Sequence, residues 1–275
     1  MVKNFFVIVY AERSGSHFLA KELTNNYDVY VPPETNFIPH LIKSGITVVS
    51  EQNIGQCITV IFNERKFLEW KLHPQKLTEY LSKRFPMELD QCILHVLEYY
   101  RITSEFTFSR IGLKKGSYLN HIEPINALFP DTKYVGIIRD PRAILVSMKQ
   151  SVKSTGEPFE KDPVKLTQKW LYRIRIMRDI EKKYNKICII KYEDMIRDLP
   201  EVLEKIAAFL EVDGIDKRNA YRLSDLALIN QQSTLQKPLE YKIDEWKTIL
   251  TKDEIEEVEE VAFEIMQKEG YKTFF

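Results

Sequence analysis

The stretch from Phe5 to Leu19 constrains the fold of this chain more than any other part of the sequence. Its apolar run of β-branched and aromatic residues, from Phe5 to Tyr10, predicts a fully buried strand of a parallel sheet. A short polar loop follows, and apolar residues then return at helical spacing. Backbone N–H groups at the start of such a helix lack partners, and the helix dipole favours negative charge there. The order of strand, loop and helix therefore predicts an α/β fold with an anion site where the first strand ends.

The side chains of this loop suit phosphate or sulfonate. Gly15 lets the backbone approach a ligand closely, and the hydroxyl groups of Ser14 and Ser16 can donate hydrogen bonds. Arg13 adds a planar guanidinium group that matches the geometry of these anions. The loop lacks the GxxxxGK[ST] pattern of nucleotide kinases. The sequence therefore favours an anion site and disfavours ordinary ATP chemistry.

Composition narrows the classes of partner. The chain has 275 residues, with 40 Lys and Arg against 40 Asp and Glu, so no overall field favours nucleic acid or an acidic membrane. Cys57, Cys92 and Cys188 are widely spaced and lack the spacing of zinc ligands, which indicates reduced core residues of a cytoplasmic protein. The first apolar run is too short to cross a membrane. We therefore expect a cytoplasmic protein with no metal, nucleic-acid or membrane partner.

Four later segments repeat the pattern of an apolar strand that runs into polar residues. They are Tyr27–Val31 before Glu34, Phe106–Gly112 before Lys114, Lys133–Ile138 before Arg139, and Ile187–Ile190 before Tyr192. In open α/β sheets, ligands bind at the carboxyl ends of the strands. We expect these polar residues to contribute to the site.

Residues of about 40 to 110 carry no phosphate-type motif. Their apolar spacing predicts mostly amphipathic helices, including helices over Pro74–Lys83 and Leu89–Tyr100. No repeat or interdomain linker is evident in the sequence. We therefore expect a single domain over residues 1–275, in which the helical segment of about 40 to 110 walls the acceptor pocket.

Three motifs resemble those of the PAPS-dependent sulfotransferases. The stretch ERSGSHFL, at residues 12–19, is similar to their 5′-phosphosulfate loop, which implies that residues 13–17 bind that group. Residues 134–147 resemble their 3′-phosphate motif, an apolar strand followed by R-[DN]-P and a spaced serine, which implies that Arg139 and Ser147 bind the 3′-phosphate. Residues 191–195 resemble their [RK]-Y-E-D-[LM] element, which implies that Tyr192 lies near the adenine. The resemblance covers the first 20 residues and most of residues 112–270.

Several residues near these motifs also have plain structural interpretations. Arg139 with Asp140 is typical of a local ion pair that caps a helix, and we interpret Glu193 and Asp194 as caps at a strand end and a helix start. Residues 237–246 occupy the place of the family's basic, glycine-rich loop over the 3′-phosphate, but the Arg-Lys-Gly core is absent. Lys237 and Lys242 both remain candidates for the missing contact.

Sulfonyl transfer needs cations at the bridging oxygen of the leaving nucleotide and a base at the acceptor hydroxyl. Lys114, in Lys-x-x-x-Tyr, resembles the lysine segment of the carbohydrate sulfotransferases, which implies that it stabilises the leaving group together with Arg13. Glu34, in Pro-Glu-Thr-Asn-Phe, is similar to the acidic base segment of bacterial and glycan sulfotransferases. His17 is the rival base. Because it lies inside the anion loop, where phosphate favours imidazolium, we expect His17 to donate to phosphate and Glu34 to act as the base.

The resemblance implies a three-layer α/β fold, related to the P-loop nucleotide kinases, with a mostly parallel central sheet flanked by helices. It also implies transfer of the sulfonate of PAPS to a hydroxyl, or less readily an amine, of a small-molecule or glycan acceptor, giving PAP. Two alternatives stay open at this stage. One is an ATP-dependent phosphotransferase of the related kinase fold, and the other is a nucleotide-binding module without catalysis. Neither the acceptor nor the oligomeric state can be inferred from the sequence.

Overall fold

The computed structural model describes residues 2–152, 156–214 and 241–274, with the backbone alone for residues 241 and 242. Within these residues the chain forms seven strands, β1 (Phe5–Tyr10), β2 (Val29–Tyr30), β3 (Val48–Val49), β4 (Met87–Glu88), β5 (Arg110–Lys114), β6 (Lys133–Ile138) and β7 (Ile187–Lys191). A five-stranded sheet has the order β2-β5-β1-β6-β7, and β3 and β4 form a separate antiparallel pair. β5 pairs in parallel with both β1 and β2. The predicted α/β fold with a mostly parallel sheet flanked by helices is confirmed.

The described helices lie between and after these strands, and two 3₁₀ segments accompany them at Phe67–Trp70 and Gly116–His121. The helices are α1 (Ser16–Asn26), α2 (Phe37–Lys43), α3 (Ile54–Phe62), α4 (Pro74–Ser82), α5 (Leu89–Thr103), α6 (Ile122–Leu128), α7 (Pro141–Lys149), α8 (Pro163–Tyr184), α9 (Tyr192–Arg197), α10 (Leu199–Leu210), α11 (Tyr241–Asp244), α12 (Trp246–Ile249) and α13 (Lys252–Lys268). The two helices predicted between residues 74 and 100 are present as α4 and α5. No helix in the described part of the chain has the length and apolar content to span a membrane.

One predicted strand is displaced along the chain. The sequence predicted a strand over Phe106–Gly112, whereas β5 begins at Arg110. The cause is side-chain packing, because Phe106 and Phe108 stack on the ring of Tyr30 at centroid distances of 4.7 and 5.3 Å and do not extend the ladder. As a result Lys114 is the last residue of β5 and pairs with Ile8 of β1.

Contacts within the chain separate two compact units. Unit one contains the described residues of Met1–Val9, His17–Val135 and Ile206–Ala227, and unit two contains those of Tyr10–Ser16, Gly136–Lys205 and Leu228–Phe275. The single domain expected from the sequence stays a prediction.

Each unit has a core of its own. In unit one, Phe37, Phe67 and Trp70 form a buried aromatic cluster with centroid distances from 5.1 to 5.7 Å. In unit two, α8 packs along α13, and Trp170 of α8 is fully buried. These cores hold the strand ends and loops that carry the predicted site residues.

Candidate active site

The loop predicted between the first strand and the first helix is present in unit two, and its role as an anion site stays a prediction. β1 ends at Tyr10, and the chain turns through two residues with positive φ, Arg13 at 64° and Gly15 at 83°, before α1 begins at Ser16. A Cβ atom on Gly15 would lie 2.6 Å from the ring of Tyr192. Both the backbone conformation and this close approach require glycine.

Arg13 links this loop to the start of the next motif. Its Nε donates to Oγ of Ser147 over 3.0 Å, and its Nη2 donates to Oγ of Ser151 over 3.1 Å. Its guanidinium carbon lies 5.6 Å from the ring centroid of Phe159. Nη1 of Arg139 donates to the backbone oxygen of Arg13 over 2.8 Å. Two motifs that are far apart in sequence therefore form one cluster.

The electrostatics of this cluster suit an anion. Arg13 has its side chain at the surface, yet partial desolvation lowers its pKa, and the positive charge of Arg139 lowers it further. Two neighbouring guanidinium groups repel each other, and a phosphate or sulfonate oxygen would relieve that repulsion. The hydroxyl oxygen of Ser14 is buried and has no hydrogen-bond partner among the described residues. An anion with several acceptor oxygens fits this set of donors.

The ring of Tyr192 packs against both the loop and Arg139. The residue directly follows β7, and its buried ring lies between Gly15 and Arg139, whose guanidinium carbon is 4.1 Å from the ring centroid. The indole Nε1 of Trp170 donates to the backbone oxygen of Arg139 over 2.9 Å. The position of Arg139 is therefore fixed by the ring of Tyr192, by a hydrogen bond that its backbone oxygen accepts, and by one that its side chain donates.

The carboxylate of Asp140 is bound by Arg142. Its Oδ2 pairs with Nη2 of Arg142 over 2.6 Å, and its Oδ1 caps α7 by accepting from the backbone N–H of Arg142 over 2.9 Å. Asp140 thus caps α7, and it forms its ion pair with Arg142. The reason is that Arg142 is buried against Trp246, at 3.7 Å from its ring centroid, and pairs with Glu259 as well.

The carboxylate of Glu193 makes contacts beyond its own strand end and helix start. Its carboxylate accepts from the backbone N–H of Asp140 over 2.9 Å and from the hydroxyl of Tyr271 over 3.1 Å. Burial is the main cause that raises the pKa of Glu193. The residue connects the ends of β6 and β7 with the C-terminal segment, a role that local sequence does not reveal.

The proposed base and the proposed catalytic lysine meet in unit one. Nζ of Lys114 donates to Oε1 of Glu34 over 2.7 Å, and Nε2 of His17 lies 3.8 Å from the same oxygen. The side chain of Lys114 is only 4% exposed, whereas that of His17 is 70% exposed. Burial lowers the pKa of Lys114, and the carboxylate of Glu34 opposes this shift.

Hydrogen bonds hold the residues on both sides of Glu34. The indole of Trp70 donates to the backbone oxygen of Pro33 over 2.9 Å, and the hydroxyl of Ser117 donates to Oδ1 of Asn36 over 2.7 Å. The buried Thr35 donates to the carboxylate of Glu64. Glu34 is therefore presented by a loop of defined conformation.

Sequence reasoning missed several of these supporting residues. Glu64 and Trp70 lie in the segment without motifs, and nothing local identifies their partners. Ser151 carries a weak signal, because it lies four positions after Ser147 and so on the same side of a helical turn. Of the two lysines left open for the 3′-phosphate, Lys237 lies outside the described residues, and Lys242 lies on α11, where the backbone alone is described.

Comparisons with known proteins agree with the fold. Residues 6–216 match the model of the sulfotransferase family. No match was found among curated proteins.

Solved structures of sulfotransferases resemble the chain over nearly its whole length. A sulfotransferase domain from the curacin biosynthetic pathway is similar with a TM-score of 0.61 and 18% identity over 100% of both chains. A sulfotransferase domain from the Synechococcus PCC 7002 olefin synthase has a TM-score of 0.58 and 21% identity over 95% of both chains. A mouse sulfotransferase complexed with PAP has a TM-score of 0.55 and 14% identity over 97% of this chain and 86% of the other. At these identities the likeness shows the fold.

Proposed function

Since this chain belongs to the sulfotransferase family and is a sulfotransferase enzyme, we propose that its sulfonate donor is PAPS. The acceptor is a hydroxyl, or less readily an amine, of a small molecule or glycan, and the second product is PAP. The observation that carries this proposal is the cluster of Arg13, Ser147 and Arg139, in which two phosphate-type motifs meet beside the buried hydroxyl of Ser14.

Each motif has a part of the nucleotide to bind. The 3′-phosphate is held by Arg139 and Ser147 of the β6–α7 segment, and the adenine by the ring of Tyr192 after β7. The 5′-phosphosulfate is held by the residues of the anion loop, which are Arg13, Ser14, Gly15, Ser16 and His17. The guanidinium groups and hydroxyls supply the charge and the donors that a phosphosulfate requires, so we propose that binding needs no metal ion.

The paired Glu34 and Lys114 supply the acid–base chemistry. Glu34, beside the ammonium group of Lys114, accepts the proton of the acceptor hydroxyl as the acceptor oxygen attacks sulfur. The bond from sulfur to the bridging oxygen breaks in the same step, and PAP leaves with the negative charge on that oxygen. That proton neutralises the carboxylate, and the ammonium of Lys114 then becomes available to the negative charge on the bridging oxygen. Arg13 is the second cation at that oxygen. A base and a cation that begin as an ion pair would thus become active in the same step.

The segment of about 40 to 110 takes part in this proposal as the wall of the acceptor pocket. Within unit one it contributes Glu64 and Trp70, which hold the loop that presents Glu34. This support makes the segment part of the acceptor side of the enzyme.

The test is a thermal-shift series with PAP, ATP with magnesium, and NAD, each with and without a chelator. A ligand at about 100 times its dissociation constant stabilises the folded state by about 2.7 kcal/mol, which is easily measured. We expect stabilisation by PAP alone, unchanged by the chelator. Stabilisation by ATP with magnesium and none by PAP would contradict the proposal and favour a phosphotransferase.

A screen of acceptors with sulfur-labelled PAPS follows. Transfer of label to an acceptor confirms the enzyme. Binding of PAP without transfer to hydroxyl or amine acceptors would instead indicate a nucleotide-binding module.

A further inference from the structure

The segment that follows α13, residues 271–274, contacts two buried carboxylates of unit two. The hydroxyl of Tyr271 donates to Oε2 of Glu193 over 3.1 Å, and the backbone N–H of Phe274 donates to Oε2 of Glu259 over 2.6 Å. Glu193 is 6% exposed and Glu259 is fully buried. Carboxylates buried so deeply need donors from the protein itself, and this short segment supplies one to each of them.

The first of these carboxylates holds the peptide bond that joins Arg139 to Asp140. Oε1 of Glu193 accepts from the backbone N–H of Asp140 over 2.9 Å. At the other end of the same peptide, the backbone oxygen of Arg139 accepts from Nε1 of Trp170 over 2.9 Å. Because a peptide unit is planar, hydrogen bonds at its two ends set its orientation. The direction in which the side chain of Arg139 projects therefore depends on Glu193.

The second carboxylate acts on the side chain of Asp140. Glu259 pairs with the buried Arg142, and Arg142 donates from Nε and Nη2 to the two carboxylate oxygens of Asp140 over 3.0 and 2.6 Å. Such a bidentate pair fixes geometry as well as charge. Oδ1 of Asp140 also caps α7, the helix that carries Ser147. The start of α7 is therefore held by a chain of contacts that leads back to Glu259.

Together these contacts form a closed ring, which we call the Asp140 ring. Its members, in order, are Tyr271, Glu193, Asp140, Arg142, Glu259 and Phe274. The two residues proposed to bind the 3′-phosphate lie next to it, because Arg139 directly precedes Asp140 and Ser147 lies on the helix that Asp140 caps. The ring and both of these residues belong to unit two.

The geometry of Arg139 matters more in this chain than the family pattern would require. The sequence lacks the Arg-Lys-Gly core that the resemblance implies over the 3′-phosphate. A phosphate with fewer cationic donors depends more on each donor that remains. Hydrogen bonds between charged groups depend on distance and angle, so a shift of the peptide after Arg139 would weaken the contact.

We propose that Tyr271 is a positioning residue for the 3′-phosphate, and that it acts through Glu193 on Arg139. The proposal rests on the function proposed above, since it takes PAPS as the donor. It goes beyond that function by assigning the preference for a 3′-phosphorylated nucleotide partly to the segment after α13. A nucleotide without the 3′-phosphate makes no contact that depends on the Asp140 ring in this way.

The test compares PAP with adenosine 5′-phosphate, which differs from PAP only by the missing 3′-phosphate. Isothermal titration gives both dissociation constants for wild type and for Tyr271→Phe, which keeps the aromatic ring and removes the hydroxyl. We expect the dissociation constant of PAP to rise by about three- to tenfold, the equivalent of one hydrogen bond, and that of adenosine 5′-phosphate to stay unchanged. A merely structural weakening of unit two would raise both alike.

A second variant tests whether Tyr271 acts through Glu193. Glu193→Ala should also lower the preference for PAP, and the double variant should lose no more of that preference than Glu193→Ala alone, because residues that act in one chain are not additive. If Glu193→Ala fails to fold, the two dissociation constants of Tyr271→Phe still decide. Tyr184→Phe, at the end of α8, removes a tyrosine hydroxyl outside the Asp140 ring and is the matched control that should leave both constants unchanged.

The outcomes separate this inference from the function on which it rests. A preference for PAP that Tyr271→Phe leaves unchanged, equal losses for the two nucleotides, or additive losses in the double variant would overturn the inference and leave the proposed donor intact. A wild-type protein that does not bind PAP, or that binds both nucleotides equally, would contradict the proposed donor and the inference together.

Discussion

Arg13 donates from Nε to the hydroxyl of Ser147 over 3.0 Å, although the two residues are 134 positions apart in the chain. One belongs to the anion loop after β1 and the other to the second turn of α7. The hydrogen bond shows that two motifs, each weak by itself, converge on one place. A bound anion would compete with Ser147 for the donors of Arg13. We therefore expect nucleotide affinity to be most sensitive to substitutions at this contact.

Arg139→Ala should weaken PAP binding. A hydrogen bond to a charged group contributes about 1.5–3 kcal/mol, which corresponds to roughly a ten- to hundredfold rise in the dissociation constant. Isothermal titration with PAP measures the effect, and Arg175→Ala on the exposed side of α8 is the control. An unchanged dissociation constant in a folded Arg139→Ala protein would remove Arg139 from the site.

Lys114→Ala should lower turnover more than it lowers nucleotide affinity. An interaction that strengthens in the transition state affects kcat above all, and loss of one preorganised donor costs about a hundredfold or more. Single-turnover kinetics at saturating PAPS measure this rate, with the exposed Lys76→Ala as the matched control. If PAPS affinity collapses while the rate at saturation persists, Lys114 is a binding residue.

Glu34→Gln should preserve PAP affinity and reduce the single-turnover rate by about a hundredfold or more, because the amide keeps the shape of the side chain but cannot accept the proton. His17→Gln should weaken PAP binding and spare part of the rate at saturation. Both proteins are measured side by side for affinity and rate. Normal turnover by Glu34→Gln, with an inactive His17→Gln that binds PAP normally, would reverse the assignment. Normal behaviour of both would place the base elsewhere.

Gly15→Ala should destabilise the protein and impair PAP binding. A positive φ costs an alanine about 1–2 kcal/mol, and the clash with the ring of Tyr192 adds about 1–3 kcal/mol. Gly45→Ala is a suitable control, since φ there is +76° but no atom lies within 4 Å of the added carbon. The difference between the two unfolding free energies isolates the contact with Tyr192. Equal losses would mean that this contact does not constrain the loop.

Glu193→Gln should change how stability depends on pH. Burial raises the pKa of Glu193 above its ordinary value of 4.5, so the folded state binds the proton more tightly than the unfolded state does. Its stabilising contribution is complete below that value and is lost as pH rises through the folded pKa. Urea unfolding at about pH 4 to 8 should therefore show the greatest advantage of wild type over the variant at the acidic end. Glu264→Gln, on the surface of α13, should show no such trend. An advantage that grows with pH would contradict this assignment.

The sequence by itself determined the elements whose signals are local. The run from Phe5 to Tyr10 predicted the buried strand β1, and the polar loop and the apolar spacing after it predicted the helix that follows. The anion site in that loop stays a prediction. Pro141 lies in the first turn of α7, as the local preference of proline predicts. The apolar spacing within α4 and α5 is likewise a short-range signal. For the same reason most of the strands that precede the candidate site residues could be predicted from periodicity, whereas their order in the sheet comes from the structure.

Only the tertiary structure decided which charged groups became partners. Glu34 and Lys114 are 80 positions apart, and Arg142 pairs with Glu259 across 117. Asp140 shows why such choices are hidden from the sequence. Both Arg139 and Arg142 are near it in the chain, and burial of Arg142 against Trp246 selects one of them. A buried charge must find a partner, but the partner is set by which surfaces pack together, and that depends on the whole fold.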